Sequence, residues 1–248
     1  MDPPRRLSTR TLAETPWMKL QSHEIEDLPG HPRREVTTLE LDDWVVTAAR
    51  DRGGRWVLVR QFRHGVEDLT LEPAGGIIDR GEAASEAARR ELLEETGYAG
   101  GTLRELGAVH PNAALSKNRA HLFLVDGVEK VSDAEQPPEE RTETLLLSSV
   151  DLRAALDSGQ ISHALAVVAL MRALELVTRG ALAQELEEME RHQRQRVVDL
   201  ARRLRPDLTF EDLQSPHDFP ELADADWHFE DGQLAGLVAA RIAASRRP

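Results

Sequence analysis

An acidic stretch in the first half of the chain carries glutamates at helical spacing. Glu91, Glu94 and Glu95 are spaced i, i+3 and i+4, so a helix would place them on one face. Arg90 directly precedes them, and Glu82 lies eight residues earlier. Like charges on one helical turn repel each other and lower stability unless a positive charge lies among them. The spacing therefore favours a divalent cation, and carboxylate oxygens are hard ligands that suit Mg²⁺ or Mn²⁺.

The residues around these glutamates predict a glycine loop, one helix and an abrupt helix end. Four alanines between residues 83 and 88 are strong helix formers. Gly97 is the residue type that most often ends a helix. A pair of glycines, at 75 and 76, comes before the helix and predicts the loop.

The stretch 76–98 resembles the Nudix box, G-x5-E-x7-R-E-U-x-E-E-x-G-U, in which U is a bulky aliphatic residue. Eight positions have the spacing that the box requires: Gly76, Glu82, Arg90, Glu91, Leu92, Glu94, Glu95 and Gly97. The last position departs from the pattern, because Tyr98 stands where Ile, Leu or Val is usual. The alternative interpretation is an acidic, solvent-facing helix after a glycine turn, but so many matched spacings favour the box.

The residues before the box narrow the resemblance. The segment RQFR at 60–63 ends a predicted strand, and EPAG at 72–75 leads into the box. This combination resembles the ADP-ribose pyrophosphatase, or nucleoside diphosphate sugar hydrolase, branch of the Nudix family. The resemblance implies that Arg63 and Glu72 bind the substrate and that the Ala74 carbonyl binds a metal ion. From residue type alone, an ion pair between Arg63 and Glu72 at a strand end is an equally good interpretation.

The resemblance also assigns roles to the charged residues of the box. Glu91 and Glu95 are expected to be the main ligands of Mg²⁺ or Mn²⁺, with Glu82 and Glu94 supporting them. Glu94 and Arg90 are also expected to assist catalysis, Arg90 by bracing the glutamates. A metal ion bound to a pyrophosphate neutralises its charge, orients in-line attack and lowers the pKa of a bound water.

In relatives, a glutamate on the loop before a later strand deprotonates the attacking water. The segment 132–144 is acidic and contains two adjacent prolines, which predicts an exposed loop. Counting back from the strand-like segment 145–149, Glu140 takes the position of the base best, with Glu139 and Glu143 as competitors. A charged, solvated loop without a catalytic role is the alternative.

The polar segment 110–118 lies between two predicted strands, 102–109 and 119–125. Its donors, with Asn118 and Arg119 as the expected substrate-binding residues, suit the hydroxyls and phosphates of a sugar nucleotide. They also simply make a good loop. Because the segment departs from the glycine-rich, acidic stretch that is common in this branch, the identity of the sugar stays open.

Alternating apolar residues predict strands in the first quarter of the chain. Residues 17–41 predict half-buried strands, and residues 44–49 and 56–60 predict a hairpin closed by the turn 51–54. Residues 1–15 are polar and proline-rich and are expected to be loosely ordered. The resemblance implies an α/β fold, namely an α/β/α sandwich around a mixed sheet.

The C-terminal part of the chain predicts helices. An apolar helix is expected over residues 161–178, and from residue 181 apolar residues follow a heptad-like stripe. A last helix is expected over residues 233–245. The turn-rich segment between them contains four aromatic residues that are expected to anchor it: Phe210, Phe219, Trp227 and Phe229.

These elements suggest three segments. Residues 1–42 form an N-terminal tail and strand layer, residues 43–180 form the Nudix domain, and residues 181–248 form a helical extension. In this branch an N-terminal strand layer commonly builds a dimer near the active site, so the resemblance implies a homodimer.

Composition excludes several other classes of function. A formal net charge of -13 argues against a nucleic-acid-binding surface, which is usually basic. The absence of cysteine excludes disulfides, thiolate nucleophiles and cysteine-based zinc sites. No apolar run reaches the roughly 18 residues of a membrane span, and the first residues lack a hydrophobic signal core. A soluble cytoplasmic protein is therefore expected.

The combined hypothesis is a metal-dependent hydrolase that cleaves the pyrophosphate bond of a nucleoside diphosphate sugar. ADP-ribose is the leading substrate, with AMP and ribose 5-phosphate as products. Two alternatives stay open: a hydrolase of another sugar nucleotide, such as an ADP- or GDP-hexose, and a non-catalytic sensor of sugar nucleotides that signals through residues 181–248.

Overall fold

A computed structural model describes residues 3–28, 30–135 and 142–245. The chain divides into two compact units, residues 1–174 and residues 175–248. The described strands are β1 (Arg5–Glu14), β2 (Met18–Glu26), β3 (Arg33–Leu41), β4 (Trp44–Asp51), β5 (Trp56–Arg63), β6 (Asp68–Glu72), β7 (Tyr98–Val109), β8 (Ala120–Lys130) and β9 (Thr142–Leu147). The described α-helices are α1 (Ala84–Thr96), α2 (Ser149–Asp157), α3 (Ala164–Leu204) and α4 (Ala225–Ser245).

A mixed six-stranded sheet organises the first unit. Its strand order is β6-β5-β4-β8-β7, and β9 pairs with β5 outside this path. Strands β4 and β8 are parallel, whereas the other pairs are antiparallel. Val45, Val46, Ala48 and Ala49 of β4 are all buried. Such a continuous apolar run is typical of a central strand whose two faces are both covered.

Helices cover the two faces of this sheet. Val45 lies in one apolar cluster with Ala87 of α1, and Val46 lies in another with Leu165 of α3. Because successive residues of a strand point to opposite faces, α1 and the start of α3 lie on opposite sides of β4. The predicted α/β/α sandwich around a mixed sheet is confirmed.

Helix α1 ends where the sequence predicts. Gly97 adopts φ +72°, and its N–H donates to the Leu93 carbonyl at 2.8 Å. A Cβ atom at residue 97 would lie 2.1 Å from the Ser132 carbonyl oxygen. Both the left-handed backbone and the close approach of another segment therefore require glycine there.

The N-terminal residues form a strand, so the prediction of a loosely ordered segment over residues 1–15 is wrong. Strand β1 pairs with β2 in an antiparallel ladder, and β2 pairs with β3, which makes a three-stranded sheet. Most β1 residues are exposed. The strand is held by its backbone ladder rather than by an apolar face, and for that reason the hydrophobic pattern did not reveal it.

In the second unit, an apolar cluster contains Val197 and Ala201 of α3, together with Leu222 and Trp227. Helix α4 begins at Ala225 rather than near residue 233, since Asp224 Oδ1 accepts a hydrogen bond from the Trp227 N–H at 2.9 Å and Trp227 is fully buried.

One of the expected aromatic anchors is misassigned. Phe229 is 63% exposed, because it lies on the outer face of α4, whereas Phe210 and Phe219 pack partly buried against the apolar cluster. Helix α3 also continues through residue 180, where the sequence suggested a segment boundary, and the three-segment division stays a prediction.

Among the helices in the described residues, none is both long and apolar enough to span a bilayer.

His23 makes the stability of the N-terminal sheet depend on pH. Its side chain is buried, with Nδ1 2.9 Å from Thr9 Oγ1 and Nε2 2.7 Å from Thr38 Oγ1. Burial lowers the pKa of His23 below its ordinary value, and the positive charge of Arg6 lowers it further. The unfolded chain takes up a proton near pH 6.5 more readily than the folded chain does, so acidification favours unfolding.

We expect the melting temperature of the wild type to fall between about pH 7.5 and about pH 5.5, and that of His23→Gln to fall less. Thermal unfolding followed by circular dichroism at several pH values measures this difference. The control is His31→Gln, which changes an exposed histidine in a turn and should keep the wild-type slope. Equal slopes for the wild type and His23→Gln would contradict the assignment.

Candidate active site

Arg90 lies among three carboxylates. Its Nε and Nη2 atoms donate to Glu82 at 2.9 and 3.0 Å, and Nη1 donates to Glu91 at 2.8 Å and to Glu94 at 3.1 Å. Nη2 also donates to the Ile77 carbonyl at 3.1 Å. The hydrogen bonds with Glu82 raise the pKa of Arg90 and lower the pKa of Glu82. One guanidinium therefore fixes the carboxylates of the helix relative to the preceding loop.

Glu91 and Glu95 lie against the glycine loop. Glu95 Oε2 accepts a hydrogen bond from the Gly75 N–H at 3.0 Å. A Cβ atom at Gly76 would lie 2.5 Å from Glu91 Oε1, so a side chain there would displace this carboxylate. Burial raises the pKa of Glu91 even though its hydrogen bond with Arg90 acts in the opposite direction.

Strand β4 positions the glycine loop. The Ala74 carbonyl accepts a hydrogen bond from the Thr47 N–H at 2.7 Å, and the Gly76 carbonyl accepts one from the Val45 N–H at 2.9 Å. A Cβ atom at Gly75 would lie 2.3 Å from the Val45 carbonyl oxygen. The loop is thus an extension of the central sheet, and it approaches β4 too closely for any side chain at residue 75.

The oxygen atoms at this junction fit a divalent cation by type. The carboxylates of Glu91 and Glu95 face the loop that carries the Ala74 carbonyl, and carboxylate and carbonyl oxygens are the ligands that Mg²⁺ and Mn²⁺ prefer. The Ala74 carbonyl keeps a second lone pair beside its backbone hydrogen bond. Within residues 3–28, 30–135 and 142–245, no three acidic or histidine side chains are grouped closely enough to hold a metal ion.

Glu72 is the buried centre of a second polar cluster, at the end of β6. Its side chain is 3% exposed, and it accepts a two-pronged hydrogen bond from Arg63, Nε to Oε1 at 3.0 Å and Nη2 to Oε2 at 2.9 Å. Thr70 Oγ1 donates to Oε1 at 2.5 Å, and His163 Nδ1 lies 2.5 Å from Oε2. Burial acts to raise the pKa of Glu72, but hydrogen bonds from His163, Arg63 and Thr70 outweigh it and lower the pKa, so the carboxylate stays ionised.

A cavity of about 600 Å³ connects this cluster with the glycine loop. Arg63, Glu72 and His163 line it together with Gly75 and Gly76. Apolar side chains, among them those of Trp44, Val66 and Leu165, complete its wall. A cavity with a largely apolar wall and a few polar groups is typical of a site for a small ligand.

The two loop residues expected to bind substrate lie outside the lining of this cavity. Asn118 is buried, and its side chain accepts from Ser116 Oγ at 2.7 Å and donates to the Asp42 carbonyl at 3.1 Å. The N–H of Arg119 donates to Asp43 Oδ1 at 2.7 Å, while its side chain is exposed. These contacts fasten the loop to the start of β4, and substrate binding by Asn118 and Arg119 stays a prediction.

The expected general base lies outside the described residues. Glu140, the best match, and Glu139, one of its competitors, fall between residues 136 and 141. The other competitor, Glu143, lies on β9 and forms an ion pair with Arg60 of β5. The assignment among the three glutamates stays a prediction.

Sequence reasoning missed two members of the Glu72 cluster. Thr70 lies two residues before Glu72 on the same strand, so strand alternation places both on one face and was a usable signal. His163 is 91 residues away from Glu72 in the chain. No local pattern links two residues so far apart, and only the packing of the start of α3 on the sheet reveals the contact.

The comparison with protein families identifies the class. The NUDIX domain model matches residues 42–165, which is half of the chain. The chain therefore belongs to the Nudix family of hydrolases, and the resemblance carried by the box is confirmed.

Individual relatives agree with this class. The chain is 26% identical over 152 residues to the ADP-ribose pyrophosphatase of Bacillus subtilis (strain 168), which covers 61% of this chain and 75% of that protein. It is 33% identical over 136 residues to the ADP-sugar pyrophosphatase of Mus musculus, which covers 53% of this chain and 62% of that protein.

A solved structure described as an ADP compounds hydrolase has the same fold. It superimposes with a TM-score of 0.64 at 22% identity, and the match covers 72% of this chain and 96% of that chain.

We expect Arg90→Met to lower the free energy of unfolding by about 1–3 kcal/mol, because three carboxylates lose the cation that they share. Urea unfolding at pH 7 in the presence of a chelator measures the change without a contribution from bound metal. Arg89→Met is the matched control on the same helix, since Arg89 donates only to the carbonyls of Gly100 and Gly101 in the described hydrogen bonds. Equal losses in the two variants would show that the carboxylates do not depend on Arg90.

Proposed function

We propose that this protein hydrolyses the pyrophosphate bond of a nucleoside diphosphate sugar in a metal-dependent reaction. ADP-ribose is the leading substrate, and AMP and ribose 5-phosphate are the products. The observation that carries the proposal is the carboxylate set around Arg90, which lies against a glycine loop that also lines a cavity of about 600 Å³. The activities named for the Bacillus subtilis and Mus musculus relatives support the same chemistry.

Glu91, Glu95 and the Ala74 carbonyl would hold Mg²⁺ or Mn²⁺, with Glu82 and Glu94 in support. When bound, the metal ion neutralises charge on the pyrophosphate and lowers the pKa of a bound water.

The protein's own residues set up this arrangement. Arg90 keeps the carboxylates from moving apart, and the glycine loop brings its backbone close to them. This placement fixes the ligands before the substrate arrives.

Arg63 is proposed to bind a phosphate of the substrate. Its side chain is 43% exposed and lines the cavity, although it is paired with the buried carboxylate of Glu72. A guanidinium has five N–H donors, so an ion pair with one carboxylate and a contact with a phosphate are compatible. The ion pair with Glu72 is therefore compatible with phosphate binding by Arg63. Asn118 and Arg119 are proposed as further substrate contacts.

Glu140 is proposed as the general base. The N–H of Glu135 donates to the Glu94 carbonyl at 2.9 Å, and Thr142 Oγ1 donates to the Glu95 carbonyl at 3.3 Å. The described residues on both sides of the segment 136–141 are thus attached to the end of α1, which carries the proposed metal ligands. Glu143 is already paired with Arg60, and for this reason Glu140 is preferred to it as the base.

A homodimer built through the N-terminal sheet is also proposed. Large apolar side chains are exposed there, including Trp17 at 70% and Leu12 at 45%. Grouped exposed apolar residues commonly mark an interface with another protein chain. The molar mass in solution, measured by light scattering, tests this part of the proposal.

The activity is tested by incubating the protein with Mg²⁺ and a panel of sugar nucleotides and identifying the products by mass. We expect nucleoside monophosphate release, greatest from ADP-ribose. Glu95→Gln should lower kcat by about 100-fold or more through loss of a metal ligand, and Glu140→Gln by about 100- to 10,000-fold through loss of the base. Glu187→Gln, at an exposed position of α3, is the control and should keep wild-type turnover. If the wild type releases no nucleoside monophosphate from any compound, the hydrolase proposal is wrong.

Gly76→Ala tests the placement of Glu91 without removing a carboxylate. The new methyl group would meet the end of a flexible side chain, so the fold tolerates it by moving the Glu91 carboxylate. We expect the melting temperature to change by less than about 4 °C, and turnover to fall on the order of 100-fold. Gly180→Ala on α3, where a Cβ atom meets open space, is the matched control and should retain turnover. Full turnover by Gly76→Ala would contradict the role of Glu91.

A further inference from the structure

His163 brings a ring nitrogen from a distant part of the chain to the buried carboxylate of Glu72. It directly precedes helix α3, and its carbonyl accepts a hydrogen bond from the Val167 N–H at 3.0 Å, so the start of the helix fixes its backbone. The ring is partly exposed and lines the cavity, with Nδ1 2.5 Å from Glu72 Oε2. A carboxylate only accepts hydrogen bonds when it is ionised, so Nδ1 is the protonated nitrogen in this contact.

The two carboxylate oxygens of Glu72 have equivalent sets of hydrogen bonds. Each carboxylate oxygen accepts one hydrogen bond from Arg63 and one from a second residue, Thr70 at Oε1 and His163 at Oε2. The guanidinium of Arg63 pairs with both oxygens, so its plane follows the plane of the carboxylate. Thr70 and His163 therefore fix the orientation of Arg63 through Glu72.

We propose that His163 is a positioning residue for substrate binding, which holds Glu72 so that Arg63 presents its guanidinium to a phosphate of the substrate. This inference rests on the proposed function. The role is distinct from simple filling of the cavity wall, because His64 also lines the cavity but makes an edge contact with Phe62 and no described hydrogen bond to Glu72.

Steady-state kinetics on the best substrate of the panel separate positioning from a structural role. We expect His163→Ala to raise KM on the order of tenfold, the effect of losing a hydrogen bond to a charged group, while kcat changes less than about threefold. His163→Asn retains an N–H near the position of Nδ1 and should return KM to within about threefold of the wild type. Thr70→Val, which removes the hydrogen bond on the opposite oxygen, should raise KM in the same direction.

The link to Arg63 is tested by combining variants. Arg63→Lys keeps the charge but loses the two-pronged pairing, so it should raise KM, and His163→Ala should add less than about twofold in that background. His217→Ala, an exposed histidine of the second unit, is the control and should leave KM and the melting temperature unchanged.

Several results would contradict the proposed role of His163. If His163→Ala leaves KM unchanged, lowers kcat alone, or acts with full effect beside Arg63→Lys, His163 does not position Arg63. If His163→Asn is as impaired as His163→Ala, the ring acts through Nε2 rather than through Glu72, and the inference is wrong. If the wild type turns over no sugar nucleotide, the proposed function fails and the inference fails with it.

Discussion

The pairing of one arginine with several carboxylates is the constraint on which this site depends. Glu82, Glu91 and Glu94 would repel each other if Arg90 did not donate to all three. The helix can carry this charge because its opposite face buries Leu92 and two alanines against the sheet. Burial of apolar side chains fixes the helix on the sheet, and hydrogen bonds from Arg90 fix the carboxylates on its charged face. The helix end at Gly97 limits the length of that charged face.

The glycine loop, which the carboxylates of Glu91 and Glu95 face, is held close to the backbone of β4. The loop at residues 74–76 pairs with Thr47 and Val45, so backbone hydrogen bonds attach it to the central strand. Glycine at residue 75 is required for space and not for a positive φ, since it approaches the backbone of β4, whereas glycine at residue 76 leaves room for the Glu91 carboxylate. The same loop also lies against the carboxylates of Glu91 and Glu95.

The parts of the structure that follow from local spacing were predictable, and the parts that follow from distant contacts were not. The box helix, its end at Gly97 and the buried strands appear in the sequence as fixed offsets or continuous apolar runs. Strand β1 has no apolar face, so nothing in its composition distinguishes it from a loose tail. His163 reaches Glu72 only because α3 packs on the sheet, and Phe229 faces outward because Trp227 takes the buried face of α4.

The two charged clusters differ in their balance of charge, and this difference bears on the proposed binding of an anionic substrate. Around Arg90 the carboxylates outnumber the guanidinium, so that cluster keeps an excess of negative charge and favours an added cation. Around Glu72 one carboxylate is matched by Arg63 and further stabilised by Thr70 and His163, so that cluster carries no excess of negative charge. An anion approaching the cavity therefore meets a balanced ion pair on one side. The carboxylates of Glu91 and Glu95 lie against the glycine loop that lines this cavity. Under the proposed function, a metal ion bound to them would offset their negative charge, and in that way a chain with a net charge of -13 would accept a pyrophosphate.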